Sequence, residues 1–185
     1  MGVRVRLHLV RHGQAAARFD ADRDPGLDDT GRRQAEAMAD VLLPRRPLPV
    51  LVSPLRRTLE TAAALERRWG TPAMVEPLIA EIPSPISDLA ARGLWLREIA
   101  QRRWPDLDPV LRRWRHCLLA AIGYIRRDTV LVTHFIPINV VIGHVRGDDR
   151  VVCFQPDNCS CTELELEDGR LTITALGREA TTRIL

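Results

Sequence analysis

The sequence contains no lysine: all 27 basic residues are arginine, and with 24 acidic residues they give a formal charge of +3 at neutral pH. Every basic side chain is therefore a planar guanidinium, which suits paired hydrogen bonds to phosphate or carboxylate. The net charge is small, and aromatic residues make up only 4% of the chain. No basic tract with stacking aromatics is present, so we expect no nucleic-acid partner.

Long apolar runs are also missing. Runs such as 130–132 and 140–142 fall far short of the roughly 20 residues that span a bilayer. The N-terminal residues alternate arginine with apolar side chains, a pattern unlike that of a signal peptide. We therefore expect a soluble, cytoplasmic protein with no membrane partner.

Cysteine is scarce, with four residues at Cys117, Cys153, Cys159 and Cys161. A single Cys-x-Cys pair differs from a zinc framework, which uses paired Cys-x-x-Cys or Cys/His spacings. Because no secretory signal is recognised, we expect reduced and mostly buried thiols. The sequence indicates no metal site and no cofactor.

Several segments predict strands. Apolar residues alternate with polar ones from residue 3 to residue 10, which is typical of a strand with one buried face. The apolar runs 50–52 and 129–133 predict buried parallel strands, and 73–75 a further short one. Segments 161–167 and 171–176 flank Glu167-Asp168-Gly169, which indicates a hairpin turn.

The intervening segments predict helices. Asp28 is the expected N-cap of a helix that runs to Leu43, and Ser53 the N-cap of a helix that Gly70 ends. Two more helices are expected at 109–127 and 136–143. The alternation predicts an α/β protein, a three-layer α/β/α sandwich with a mostly parallel central sheet. At 185 residues, 1–185 is expected to be one domain, with a short helical cap-like insertion at about 82–108.

Two of the predicted strands end in an imidazole, at His12 and at His134. Side chains just past the carboxyl ends of parallel strands line the ligand crevice of α/β sheets. Arg11 precedes the first imidazole, and Arg57 lies in the first turns of a helix that also follows a strand. These groups could converge on one anion. The alternatives are structural histidines and arginines that form a solvated face.

Four motifs in chain order resemble the histidine phosphatase superfamily, also called phosphoglycerate mutase-like. They are Arg11-His12-Gly13, Leu27-x-x-x-Gly31-x-x-Gln34-Ala35, Ser53-Pro54-x-x-Arg57-x-x-x-Thr61-Ala62 and the strand that ends in His134. The resemblance covers most of the chain and weakens over 82–110. It implies a phosphatase in which His12 carries the phosphoryl group while Arg11, Arg57 and a protonated or donating His134 bind its oxygens.

The resemblance also implies an acidic residue that protonates the leaving group, placed between the second and third motifs. Glu81 stands in that place, and such a residue contributes about 10²- to 10⁴-fold in rate. Glu76 is a competing candidate, and Asp20 or Asp22 a more remote one. The alternative is that Glu81 is a surface carboxylate at a strand end.

The expected substrate-binding residues are Gly13, Gln14, Arg18 and Phe135, and two of them, Arg18 and Phe135, depart from the family pattern. Phe135 follows His134 where glycine is usual, so a ring would narrow or redirect the pocket. Arg18 stands where many members have asparagine, and it either adds a cation or points to solvent. The Gly-x-Trp-Glu-Gly sequence common after the acidic residue of broad phosphatases is missing.

The leading hypothesis is therefore a metal-independent phosphatase that hydrolyses a phosphate monoester through a phosphohistidine on His12. Its expected partner is a small-molecule phosphate ester or a phosphorylated protein side chain. Phosphoryl transfer of the phosphoglycerate mutase type is the alternative, although its cap is usually longer. A non-catalytic phosphate-binding protein remains a third possibility, motivated by Phe135 and the altered cap.

Arginine and tryptophan are concentrated in the cap-like segment. Arg97 and Arg103 are candidates for a mobile lid that meets the leaving group. The alternative is a set of amphipathic helices that simply bury Trp95 and Trp104.

Overall fold

A mixed six-stranded sheet organises the computed structural model, which describes residues 4–45 and 47–180. Residues 1–3, 46 and 181–185 of the predicted domain, including Val3 of the predicted first strand, lie outside the described residues. In chain order the strands are β1 (Arg4–Arg11), β2 (Val50–Val52), β3 (Met74–Val75), β4 (Thr129–Thr133), β5 (Cys161–Glu167) and β6 (Arg170–Ala175). Their order across the sheet is β3-β2-β4-β1-β5-β6.

Three of the five strand pairings are parallel, and the two that involve β5 are antiparallel. Strands β3, β2, β4 and β1 run in one direction, with Leu9 of β1 paired to Leu131 of β4. Strands β5 and β6 form the predicted hairpin. Its turn uses Asp168 at φ 50° and Gly169 at φ 80°, the left-handed pair that two-residue hairpin loops require.

Helices cover both faces of the sheet, which confirms the predicted α/β/α sandwich. They are α1 (Asp29–Leu42), α2 (Arg56–Trp69), α3 (Leu89–Ile99), α4 (Pro109–Gly123) and α5 (Phe135–Arg146). The first two pack on the face that carries Val10, Val52 and Val132. The other three pack on the opposite face, which carries Leu9 and Leu131. The alternation of strand side chains produces these two cores. None of these helices is long and apolar enough to cross a bilayer.

The boundaries of α2, α4 and α5 differ from the predictions, and α5 extends to Arg146 rather than ending at Gly143. The N-cap of α2 is Leu55 rather than Ser53, because the Ser53 hydroxyl lies 2.7 Å from Nε2 of His134 and 3.4 Å from the Leu55 amide. Helix α4 ends at Gly123 rather than at residue 127. Arg126 donates a hydrogen bond back to the Gly123 carbonyl at 2.7 Å, which satisfies one of the free carbonyls at the helix end.

The predicted cap-like segment 82–108 packs closely on the sheet. Leu96 and Ile99 of α3 are buried in the larger of the two cores, together with Trp104. Trp95 packs against the same core and is partly buried. Helix α3 therefore joins the α4–α5 layer by one apolar face, and its other face remains available to the loop around residue 20.

The turn after β1 depends on a close approach between two glycines. A Cβ on Gly13 would lie 2.5 Å from the carbonyl oxygen of Gly31, and a Cβ on Gly31 would overlap the carbonyl oxygen of Gln14. Both contacts are with backbone atoms, which cannot move aside as a flexible side chain can. The Gly13–Gly31 contact therefore fixes how the turn after β1 sits on the first turn of α1.

We expect Gly31→Ala to lower the free energy of unfolding by about 1–3 kcal/mol, the usual cost of overpacking a tight site. Gly123→Ala is the matched control, because a Cβ there meets nothing within 4 Å and alanine favours helix over glycine. Urea unfolding of both variants measures the difference. Equal stability of the Gly31→Ala and Gly123→Ala proteins would contradict the proposed backbone contact.

Candidate active site

The parallel pairing of β1 and β4 places the two imidazoles side by side. Arg11 is paired with Thr133, and the amide of His12 donates a hydrogen bond to the Thr133 carbonyl at 3.0 Å. The rings of His12 and His134 follow directly, with their centroids 5.2 Å apart and their planes at 61°. The two strand ends predicted from the sequence thus meet at one edge of the sheet.

Two hydrogen bonds define the protonation of His12. Its Nδ1 lies 2.7 Å from the Gly13 carbonyl oxygen, which can only accept a proton. Its Nε2 lies 3.2 Å from Nε of Arg57, which can only donate. The proton therefore sits on Nδ1, and Nε2 presents its lone pair.

The surroundings of His12 keep the ring neutral. Only 6% of the residue is exposed, and this burial lowers the pKa of His12 well below its usual range. The positive charges of Arg57 and Arg11 lower it further. Burial penalises the charged form and nearby cations repel a further proton, so both effects act in the same direction.

His134 is also a neutral ring. It is fully buried, and burial together with the charge of Arg57 holds its pKa well below the usual range. Its Nε2 lies 2.7 Å from the Ser53 hydroxyl. Among the described residues, its Nδ1 has no hydrogen-bond partner. Of the two alternatives in the sequence analysis, a donating His134 fits this environment and a protonated one does not.

The two arginines beside His12 are buried cations. Arg11 and Arg57 are each 6% exposed, and burial lowers the pKa of Arg11 to about 10. Both remain charged at neutral pH. Arg11 donates one hydrogen bond to the Pro156 carbonyl at 2.9 Å, and within the described chain its Nε has no partner. A buried guanidinium that keeps hydrogen-bond donors without a protein partner is suited to binding an anion.

Glu81 lies in the same group of charged residues. One of its carboxylate oxygens accepts a hydrogen bond from the Ile82 amide at 2.9 Å. Burial raises the pKa of Glu81, against the opposing effect of Arg57 and Arg11. A carboxyl group that keeps its proton to higher pH than usual can serve as a proton donor.

These side chains line a cleft of about 230 Å³. Of the predicted site residues, those that line it are Arg11, His12, Gln14, Arg18, Arg57, Glu81 and Phe135. Gly13 and His134 do not line it: Gly13 contributes its backbone, and His134 lies fully buried against the His12 ring. The alternative acids Asp20 and Asp22 also line the cleft, whereas Glu76 instead accepts a hydrogen bond from the Leu78 amide at 2.9 Å.

The two residues that depart from the family pattern lie at different depths. The Arg18 side chain is 80% exposed, with its Nε 3.6 Å from Asp20, so it belongs to the rim. Phe135 is only 3% exposed, and its ring centroid lies 5.3 Å from the guanidinium carbon of Arg11. Phe135 therefore shapes the base of the cleft beside the buried arginine.

Helix α3 closes one side of the cleft. Gly93, Leu96 and Arg97 line it, and Nη1 of Arg97 lies 3.8 Å from Asp20. Arg103, the other candidate for a lid, is paired with Asp149 and does not line the cleft. The lid hypothesis therefore fails for Arg103. The 3₁₀ turn at 104–106 buries Trp104, and Arg103 pairs with Asp149 outside the cleft.

Sequence reasoning missed two supporting residues. Asn158, in the loop before β5, lines the cleft and donates a hydrogen bond from Nδ2 to the His12 carbonyl at 2.9 Å. No motif around Asn158 signals this contact. Ser53 was assigned to a helix cap, although its hydroxyl contacts His134 instead.

Comparison with known proteins identifies the family. Residues 7–179 match the model of the histidine phosphatase superfamily (branch 1). A glucosyl-3-phosphoglycerate phosphatase of Mycolicibacterium vanbaalenii is 44% identical over 80 residues, which are 41% of this chain and 36% of that protein. The bifunctional protein Rv2228c of Mycobacterium tuberculosis is 30% identical over 165 residues, covering 76% of this chain and 44% of that protein. The chain thus spans less than half the length of these curated relatives.

Solved structures share the fold. A mycobacterial glucosyl-3-phosphoglycerate phosphatase solved with VO₃ aligns with a TM-score of 0.66 at 24% identity, covering 93% of this chain and 99% of that one. A phosphoserine phosphatase from Entamoeba histolytica in complex with 3-phosphoglyceric acid aligns with a TM-score of 0.74 at 17% identity, covering 94% and 97%. At these identities the likeness establishes the architecture alone.

Proposed function

The chain belongs to the histidine phosphatase superfamily, and from that premise we propose that it hydrolyses phosphate monoesters through a phosphohistidine on His12, without a metal ion. The observation that carries this proposal is the neutral ring of His12, whose Nε2 lone pair faces the buried guanidinium of Arg57 at 3.2 Å. A neutral imidazole nitrogen is a nucleophile, and the adjacent cations attract the phosphoryl group to it.

In the first step, Nε2 of His12 attacks phosphorus as the bond between phosphorus and the ester oxygen breaks. Arg57 transfers its Nε hydrogen bond from His12 to a phosphoryl oxygen, and Arg11 binds another. His134 lies just behind the His12 ring, and its Nδ1, which has no partner among the described residues, donates to a phosphoryl oxygen once that group has entered between the arginines. Each charge-assisted hydrogen bond contributes about 1.5–3 kcal/mol, and together they neutralise the dianion.

Glu81 acts as the proton donor in that step and as the base in the next. Its carboxyl proton passes to the leaving oxygen, and the carboxylate then takes a proton from the water that attacks phosphohistidine. Inorganic phosphate leaves and His12 returns to its neutral form. The raised pKa of Glu81 and its place among the cleft residues support this assignment over Glu76.

Small phosphate esters are the proposed substrates, with a phosphorylated protein side chain as the alternative. A cleft of about 230 Å³ is suited to a small ester, and the relatives named glucosyl-3-phosphoglycerate phosphatase suggest the first compound to assay. The rim of the cleft is open to solvent at Arg18, whose side chain is 80% exposed, and a cleft open to water favours hydrolysis over phosphoryl transfer of the mutase type. In this proposal 1–185 is one domain, and residues 82–108 are its cap, since α3 walls the cleft.

We expect His12→Ala to lower kcat/KM for p-nitrophenyl phosphate by at least about 10³-fold, because the nucleophile is lost. His144→Ala is the matched control, since His144 is exposed on α5 and does not line the cleft. Both assays are run with excess chelator, which should not reduce the wild-type rate. The proposal fails if His12→Ala keeps the wild-type rate, and metal independence fails if the chelator abolishes it.

Glu81→Gln should reduce kcat for an alkyl phosphate by about 10²- to 10⁴-fold, because the poor leaving group needs a proton. The burst of p-nitrophenol from p-nitrophenyl phosphate should be less affected, since p-nitrophenolate is a good leaving group and departs without being protonated. Glu76→Gln is the matched control and should change either rate by less than about twofold, because Gln retains the acceptor that binds the Leu78 amide. Equal losses in the two variants would remove Glu81 from the mechanism.

A further inference from the structure

A second cluster of reactive side chains lies on the sheet, away from the cleft. His8 of β1 is paired with Glu163 of β5, and Cys161 is two residues before Glu163 on the same strand. Side chains two residues apart point to the same face of a strand. The three side chains therefore share the face that packs against α1 and α2, and none of them lines the cleft.

His8 is the unusual member of this group. Only 2% of it is exposed, and within the described part of the chain its Nδ1 has no hydrogen-bond partner. That nitrogen lies 3.8 Å from Oε1 of Glu163, too far for a hydrogen bond. A buried polar atom without a partner is costly unless something else satisfies it.

The geometry points to a zinc site, which we propose is formed by Nδ1 of His8, Sγ of Cys161 and the carboxylate of Glu163. These three atoms all lie within 4.8 Å of one another. Ligand atoms around a tetrahedral Zn²⁺ are about 3.3–3.8 Å apart, from bonds of about 2.0–2.3 Å. The widest pair would have to contract by up to about 1.5 Å to close the site, and water takes the fourth position.

The donor set suits zinc in particular. Imidazole nitrogen, thiolate and carboxylate together are typical of Zn²⁺, whereas Mg²⁺ and Ca²⁺ prefer oxygen alone. Burial lowers the pKa of His8, which favours the neutral ring that a metal ion binds. Burial raises the pKa of Cys161 to about 12, so metal binding must release the thiol proton to solvent as the zinc–sulfur bond forms.

Arg45 competes with a cation for Glu163. Its guanidinium forms an ion pair with the Glu163 carboxylate, and its side chain is 36% exposed. An ion pair this accessible contributes only about 0–1 kcal/mol, so the guanidinium can move into solvent when zinc binds. The sequence analysis found no metal site because the ligands come from opposite ends of the chain and only strand pairing brings them together.

The proposal is tested by titrating the metal-stripped chain of residues 1–185 with Co²⁺ and then displacing the Co²⁺ with Zn²⁺. We expect one equivalent of Co²⁺ to produce the near-ultraviolet thiolate-to-metal absorption band, and Zn²⁺ to remove it. Cys161→Ser should abolish the band. Glu163→Gln should weaken binding by about tenfold or more.

Cys153→Ser is the matched control, since Cys153 is a free, half-buried thiol outside this cluster, and it should bind as the wild type does. Glu163 is partly exposed, so we expect Glu163→Gln to fold. This variant therefore still tests the site if Cys161→Ser does not fold. Arg45→Ala should bind Co²⁺ more tightly, because the competing cation is gone.

The site is refuted if the wild type shows no thiolate band, if the band survives in Cys161→Ser or vanishes in Cys153→Ser, or if Glu163→Gln binds as the wild type does. Equal or weaker binding by Arg45→Ala would refute the competition at Glu163.

Discussion

The two hydrogen bonds of the His12 ring are the constraint on which the rest of the site depends. The Gly13 carbonyl holds the proton on Nδ1, and the Arg57 guanidinium faces the lone pair on Nε2. Burial and two adjacent cations then keep the ring from gaining a second proton. A neutral nucleophile surrounded by buried positive charge is what a dianionic phosphoryl group requires.

Strand pairing and the Thr61 hydroxyl hold these residues in this arrangement. Parallel pairing of β1 with β4 brings His12 to His134, and the Thr61 hydroxyl accepts a hydrogen bond from the Gly13 amide at 3.0 Å while donating to the Arg57 carbonyl at 2.7 Å. One threonine thus ties the turn that carries His12 to the helix that carries Arg57. The absence of a Cβ at Gly13 allows this turn to lie against α1.

Much of this site was predictable from the sequence, because its main residues follow strands that the apolar pattern reveals. The pattern located His12 and His134 at strand ends and Arg57 on the following helix. It misassigned Ser53, because a serine before proline is a typical helix cap and nothing local indicates that its hydroxyl contacts His134 81 residues away. Asn158 and the His8 cluster were missed for the same reason, since long-range strand and loop pairing positions them.

The central claim is that the folded protein holds His12 as a neutral ring protonated on Nδ1. Nitrogen-15 NMR of the imidazole groups at pH 6, with assignment by His12→Ala, measures this directly. The account predicts a neutral His12 whose Nε2 carries no proton. In the urea-unfolded chain, histidines should instead titrate at about 6.5, the pKa of an unperturbed imidazole. An imidazolium signal for His12 at pH 6, or a proton on Nε2 of the neutral ring, would contradict it.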